Sequence, residues 1–335
     1  MAARREGPAN PQQIGLRPTC TWYALRVRAV FFGTPGIAVP ALRALTQTAE
    51  VAGVVCQPDR PSGRGLMVSA PEVKRVALEL GLPVYQPQRV KTGELEQWLV
   101  ALAVDVAIVL AYGRILPAQV LRAPRKGCLN LHASLLPKYR GAAPINWAIA
   151  HGETETGISL MLMDEGLDTG PVFTRRAIPI GPDETAGQLA ERLAVLAAEV
   201  VAEDVPRAVD GTLAPSPQDP ARASHAPPIT REHLRIDWQR PASEIANLVR
   251  AMAPKPGAFT TLRGKIIKVL AGHALTEPTG GAPGEVHVEG ARVVVTSGNG
   301  KLEIVTAQLE GRKQSLAREL VNGRVFRQGD VLGTT

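Results

Sequence analysis

The sequence predicts an α/β protein: a doubly wound, mostly parallel sheet followed by a small, partly open β-barrel. Three patterns point there. From about residue 27 to residue 210, apolar runs of strand length alternate with segments of helical spacing, as βαβ units do. Residues 211–230, GTLAPSPQDPARASHAPPIT, are dense in Pro, Ala, Ser and Gly and hold few large apolar side chains, which is linker composition. From residue 231 the pattern becomes short strands separated by turns.

The elements follow in order. RVRAVFFG (26–33) reads as a buried strand, GIAVPALRALTQT as a helix, and EVAGVVCQ (50–57) as the next strand. After a Pro/Gly/Arg loop comes the helix PEVKRVALELG (71–81), with Pro71 at its start. LPVYQP is a short strand and TGELEQWLVAL a helix opened by Thr92. VDVAIVLAY (104–112) and CLNLH (128–132) are further strands. A helix around 144–151, strands at TGISLMLM and PVFTRRAIPI, and the helix TAGQLAERLAVLAAEVVAEDVPRAV complete the first unit. In the last third ASEIANLVRAM is a helix. AFTTLRGKIIKVLAG and GEVHVEGARVVVTSGNGKLEIVTAQLEG are short strands with a GNG hairpin turn, and QSLARELVNGR is a closing helix.

Composition narrows the function. No stretch reaches the roughly 18 apolar residues of a membrane helix; the longest run, 104–112, contains Asp105. The three cysteines, Cys20, Cys56 and Cys128, are far apart and form neither a metal spacing nor a disulfide framework, which suits the cytoplasm. The formal charge is +7. Residues 1–28 carry +4, residues 29–230 carry −2 and residues 231–335 carry +5, so a polyanionic partner would be met partly by the C-terminal third. Residues 1–26 lack periodicity and read as a non-structural extension: a disordered arm, a transit peptide or an over-long gene start.

In open parallel sheets, ligands sit beyond the carboxyl ends of the strands. Four unusual loops fall there: GTPG, QPDRPSGRG, AYGRILP and NLHASLLP. Asn130 and His132 share strand parity and point to one face. An amide donor beside an imidazole can stabilise a developing oxyanion and move a proton near neutral pH. A carboxylate to orient the imidazole comes from MDEGLDTGPV (163–172), as either Asp164 or Asp168. A hydrogen-bonded structural pair is the plain alternative for Asn130 and His132.

NLHASLLPKYRGAAPI, followed 36 positions after His132 by Asp168 in GLDTG, resembles the formyltransferases that use 10-formyltetrahydrofolate. FFGTPGIA and AYGRILP strengthen the resemblance, and QPDRPSGRG narrows it to the family's tRNA branch. The resemblance implies a Rossmann-like catalytic domain over 27–210, a linker over 211–230 and an OB-like tRNA-binding domain over 231–335. It implies formyl transfer from 10-formyltetrahydrofolate to the amine of methionyl initiator tRNA, in translation initiation, by a cytoplasmic monomer that needs no metal. Asn130, His132 and Asp168 would be the catalytic set. Ser134, Leu135, Leu136 and Pro137 would lie against the folate. The loop with Tyr112, Gly113, Ile115 and Leu116, and the loop around Asp164, would line the pterin pocket through backbone groups as much as side chains. Arg60 and Arg64 would meet the tRNA acceptor stem. The chain departs from the family in having Leu66 and Met67 where lysines are expected after GRG.

Two other readings are weighed. One is a formyltransferase of the same fold acting on a small amine, glycinamide ribonucleotide or an amino sugar nucleotide; the basic barrel and the QPDRPSGRG string disfavour it. The other is a catalytically silent RNA-binding protein, which the intact Asn130, His132 and Asp168 set disfavours. Lys138, Tyr139 and Arg140 read equally as a substrate rim or an ordinary turn. Trp238 and Trp147 read as packing residues, and His225, His233, His273 and His287 as surface histidines without sequence partners.

Overall fold

The computed structural model describes residues 27–62, 67–276 and 280–334. The extension with Cys20, and the readings placed on Arg64, Leu66 and the Met67 side chain, lie outside the described residues.

The strands of the first unit are β1 (Arg28–Gly33), β2 (Glu50–Val55), β3 (Arg60–Ser62), β4 (Met67–Ser69), β5 (Val84–Tyr85), β6 (Val106–Leu110), β7 (Cys128–His132), β8 (Arg140–Gly141), β9 (Glu155–Leu162), β10 (Val172–Pro179) and β11 (His225–Ala226). Seven form one sheet in the order β5-β2-β1-β6-β7-β9-β10. Neighbours run parallel except around β9, which is antiparallel to both β7 and β10.

The helices are α1 (Val39–Thr48), α2 (Glu72–Glu79), α3 (Glu94–Ala101), α4 (Ala118–Arg122), α5 (Pro144–Ala150) and α6 (Ala186–Asp210). Strand alternation assigns them to the two faces. Ala29 and Phe31 pack into the apolar layer under α1 and α6, whereas Val30 and Phe32 pack into the layer under α3 and α4. A strand apolar at every position is what a sheet covered on both faces requires. The long α6 begins where its capping box, Thr185 with Gln188, satisfies the first free amides.

The chain leaves β1 toward β2 and β5, then crosses back to β6 on the other side of β1. The strand order therefore reverses between β1 and β6, and in open α/β sheets the carboxyl ends at such a switch point are where ligands bind. Thr34 Oγ1 and Gln57 Nε2 both donate to the Tyr112 carbonyl, at 3.1 and 2.8 Å, which knits the three loops there together.

The second unit comprises α7 (Ala242–Met252), β12 (Ala258–Leu262), β13 (Lys265–Leu275), β14 (Val286–Glu289), β15 (Arg292–Thr296), β16 (Lys301–Leu309), β17 (Ser315–Leu316) and α8 (Ala317–Asn322). Its antiparallel order is β12-β13-β16-β15-β14, with β17 on β16. Bridges from Leu332 to Leu262 and from Val331 to Glu285 tie the chain's last residues to both edges, giving an OB-like barrel. The apolar layer under α6 continues through Ile245, Val249 and Met252 of α7 into the barrel. The Trp238 side chain is buried there and donates to Thr260 Oγ1 at 3.0 Å. Trp147 packs at the edge of the same core and donates to the Pro227 carbonyl.

Several details differ from the sequence reading. α3 starts at Glu94 behind Gly93, whose φ of 85° only a glycine takes comfortably, and not at Thr92. The short α4, β3, β4, β8 and β11 were not legible, since two to five residues carry no period. The histidines expected to lack partners have distant ones: His273 Nδ1 lies 3.1 Å from Asp183, and His287 Nε2 3.0 Å from Thr296 Oγ1.

Residues 211–230 have a linker's composition and yet run as an ordered strap over the first unit. Ser216 exchanges backbone hydrogen bonds with Val172, and β11 pairs with β8. Composition misses this because the bonds are made by backbone and small polar groups.

Cys56 and Cys128 are fully buried, and burial pushes their thiols up to about 11 and about 12. The thiolate is the reactive form. Iodoacetamide at pH 8 is therefore expected to leave both unmodified in the folded protein and to alkylate both after denaturation, as read by mass spectrometry. Labelling of either cysteine in the folded state would count against the burial argument.

Candidate active site

The end of β7 carries the candidate residues. Leu129 and Leu131 point into the layer under α1 and α6. Cys128, Asn130 and His132 point to the opposite face. Cys128 is fully buried, but Asn130, nearer the strand end, is only partly covered, and its amide makes no hydrogen bond with any described residue. His132 is 6% exposed.

The imidazole is held from two sides. Its Nε2 lies 2.8 Å from the Tyr139 carbonyl. A carbonyl only accepts, so Nε2 carries a hydrogen, and Nδ1 is the ring atom left to take up or release a proton. Nδ1 faces Asp168 Oδ2 at 3.6 Å, too long for a hydrogen bond but well within ion-pair range for an imidazolium. Asp168 Oδ2 also accepts from the Gly141 amide at 2.9 Å, which fixes the carboxylate's position.

Asp168 arrives by a route that strand order does not reveal. The 163–171 excursion leaves the sheet opposite Leu129, three residues, or about 10 Å, before His132. It folds back over the sheet face and rejoins at Val172. Gly170 permits the return, because a Cβ there would lie 1.8 Å from the Leu162 carbonyl oxygen. Asp168 itself sits at φ 53°, a left-handed conformation that Asp tolerates better than most residues. Asp164 instead shapes the loop, since its Oδ1 accepts from Gly166 N and Thr169 Oγ1, at 3.1 and 2.7 Å. Of the two carboxylates open in the sequence, Asp168 is the one beside His132.

The NLHASLLP loop is braced from within. Ser134 is fully buried and its hydroxyl donates to the Lys138 carbonyl at 2.6 Å. Leu136 is buried against Met161 and Val172, and its amide donates to Ser159 Oγ. Leu135 and Pro137 are partly exposed. In the 111–117 loop Leu116 and the Tyr112 ring are buried, while Gly113 is exposed and Ile115 is 77% exposed. Burial pushes the Tyr112 phenol up to about 12. Among the described residues its Oη is the buried side-chain oxygen or nitrogen without a hydrogen-bond partner. Arg114 ties the loop to the Pro87 and Gln88 carbonyls at 2.9 Å.

Arg60 lies exposed on β3, next to a fixed base. Asp59 takes two contacts from Lys74 Nζ, at 2.9 and 2.7 Å, and one from Gln86. These bonds hold its carboxyl below the usual range. Among the described residues no three His, Cys, Asp or Glu side chains cluster as metal ligands would.

Sequence reasoning missed three parts of the site: the Tyr139 carbonyl, the Gly141 amide, and the strap behind both. Gly141 was a visible signal. Its φ is 125°, and a Cβ would lie 2.6 Å from the Ala226 carbonyl oxygen, so only glycine lets β8 meet β11. Tyr139 and Arg140, read as a rim or a turn, are both buried.

Residues 28–205 match the formyl transferase family profile, and residues 228–325 match that of the formyl transferase C-terminal domain. The chain is 59% identical over 310 residues to the methionyl-tRNA formyltransferase of Sorangium cellulosum, across 92% of this chain and 100% of that one. It is 48% identical over 315 residues to the methionyl-tRNA formyltransferase of Synechococcus sp. (strain JA-3-3Ab), across 90% and 97%. The solved N-formyltransferase from Helicobacter canadensis superposes with a TM-score of 0.62 at 19% identity, over 84% of this chain and 99% of that one, which is likeness of fold. Both domain profiles match in chain order, and a full-length relative shares more than half of the aligned residues: the chain belongs to the formyl transferase family.

Proposed function

We propose that this chain is an enzyme that transfers the formyl group of 10-formyltetrahydrofolate to the α-amino group of methionyl initiator tRNA, acting as a cytoplasmic monomer in translation initiation. The observation that carries the reading is the 59% identity to a methionyl-tRNA formyltransferase over that protein's whole length. The convergence of an open amide, a clamped imidazole and a hydrogen-bonded carboxylate supports it.

When the amine adds to the formyl carbon, negative charge builds on the formyl oxygen and the nitrogen must shed a proton. The Asn130 amide, without a hydrogen bond to any described residue, donates to that oxygen. His132 Nδ1 takes the proton, directly or through one water, while Nε2 stays on the Tyr139 carbonyl. Asp168 stabilises the imidazolium so formed and holds the ring in place. A protonated ring is then poised to donate to the oxyanion or to the departing folate nitrogen.

The residues fit a pterin bound at the carboxyl ends of β1 and β6. Exposed backbone at Gly113 and partly exposed Leu135 and Pro137 border it, with the Ile115 side chain as an apolar edge. Leu167, 59% exposed in the Asp168 loop, offers another apolar surface. Ser134, Leu136, Tyr112 and Leu116 serve the folate by shaping their loops from inside.

The tRNA meets two surfaces. Arg60 and Arg64 reach the acceptor stem from the QPDRPSGRG loop. The barrel of residues 231–335, beyond the 211–230 segment, follows the backbone; exposed Arg312, Lys313, Arg318 and Arg324 form no ion pair with a described residue and are available to phosphates.

Asn130→Ala is expected to lower kcat by about 10²–10³-fold, as loss of one oxyanion donor does. His132→Ala is expected to lower it by about 10²–10⁴-fold. Both are read from labelled formyl transfer to charged tRNA, with melting temperatures near wild type; a collapse of stability in His132→Ala would return that side chain to a structural role. Arg60→Ala is expected to raise KM for tRNA several-fold and to leave KM for the folate unchanged. Equal effects on both would count against its placement. If only a small amine accepts the formyl group, the tRNA assignment fails.

A further inference from the structure

The strap passes behind both groups that hold His132. On one side, Ser224 Oγ accepts from the Tyr139 amide at 2.9 Å and the Ser224 carbonyl accepts from the Arg140 amide at 2.8 Å. This fixes the peptide whose carbonyl takes His132 Nε2. On the other side stands Gln218. Its Oε1 accepts from Arg140 Nε and Nη2, at 3.1 and 2.8 Å, and its Nε2 donates to the carbonyls of Asp168 and Gly170, at 2.8 and 2.7 Å.

The amide's orientation is not in question, because a guanidinium can only donate and a carbonyl can only accept. Both amide hydrogens are used, and the oxygen takes two. Arg140 is 8% exposed and forms no ion pair with a described residue, so the Gln218 oxygen is the side-chain partner of a buried cation. The same two-residue strand that carries Arg140 presents the Gly141 amide to Asp168 Oδ2. Asp168 is thus gripped at its carboxylate by β8 and at its own carbonyl by Gln218, and Gln218 is itself locked to β8.

We propose that Gln218 is a positioning residue for the transfer reaction: its amide, lodged between Arg140 and the 168–170 backbone, sets the distance of the Asp168 carboxylate from His132. The inference rests on the reading of His132 and Asp168 as the reacting pair. Gln218 touches neither substrate nor His132, and it acts only through Asp168. Misplacement of a supporting group by about 1 Å can cost about 10²-fold in rate, so the effect belongs in kcat.

The test compares Gln218→Glu and Gln218→Met with wild type in formyl transfer to charged tRNA, each also in an Asp168→Asn background. Gln218→Glu keeps an acceptor for Arg140 but loses both donors, and so remains informative if Gln218→Met fails to fold. The expected result is a fall in kcat of at least about tenfold, with KM for folate and for tRNA changed less than about threefold. In the Asp168→Asn background either change is expected to cost nothing further, because the group being positioned is already disabled. Ser216→Ala, on the same strap but away from Asp168, is expected to match wild type. The proposal is overturned by a kcat within twofold of wild type in Gln218→Glu, by an equal penalty in both backgrounds, or by an equal loss in Ser216→Ala. A wild-type protein that formylates no tRNA overturns the functional reading and this inference together. An active wild type with silent Gln218 variants overturns this inference alone.

Discussion

The site depends on one constraint: an imidazole nearly out of reach of solvent, with a carbonyl on one nitrogen and a carboxylate facing the other. The carbonyl decides the tautomer and leaves Nδ1 as the ring atom without a bound hydrogen. The carboxylate faces that ring nitrogen within ion-pair range. The separation of 3.6 Å leaves the pair short of a hydrogen bond, so the contact gains its full strength when the ring is protonated. An amide two residues away, with no hydrogen bond to a described residue, completes the set proposed to answer charge where the reaction creates it.

The fold serves that constraint by bringing three chain segments to one strand end. β7 supplies rigidity, since its leucines are buried in the central layer. The 163–171 excursion supplies the carboxylate from beyond the neighbouring antiparallel strand. Residues 137–141 supply the carbonyl and an amide. The 211–226 strap braces the second and third of these segments at once, through Gln218 and Ser224. The strap also leads into the barrel, whose apolar core is continuous with that of the sheet through α7. Active-site loops and the basic barrel therefore rest on shared packing.

Charge is divided between the two units as their roles require. The sheet unit is near neutral, and some of its cations are paired internally: Lys74 is spent on Asp59, and Arg176 grips the buried Asp204 of α6 with two nitrogens. Hydrogen bonding to Asp204 raises Arg176 above its ordinary value, so that cation is structural. In the barrel unit several arginines and lysines from 312 to 324 stay exposed. Attraction to a polyanion at such a surface is long-ranged and weakened by salt, whereas contacts at the nearly buried His132 are local and shielded.

The sequence by itself determined the layered sheet, the long α6 and the barrel, because these are written in short-range terms. Strand and helix periods and a GNG turn each need only neighbours within a few residues. The family motif carries Asn130, His132 and Asp168 in a recognisable order. Tertiary structure decided the choice between Asp164 and Asp168, the Tyr139 carbonyl as the imidazole's other partner, and the conversion of a Pro/Ala/Ser-rich segment into a brace. Each of these depends on hydrogen bonds between residues far apart in the chain, such as the 50 positions from Asp168 to Gln218. A backbone carbonyl has no side-chain identity to read, and a glutamine in a polar stretch looks like any other until the chain folds and sets it against a buried cation.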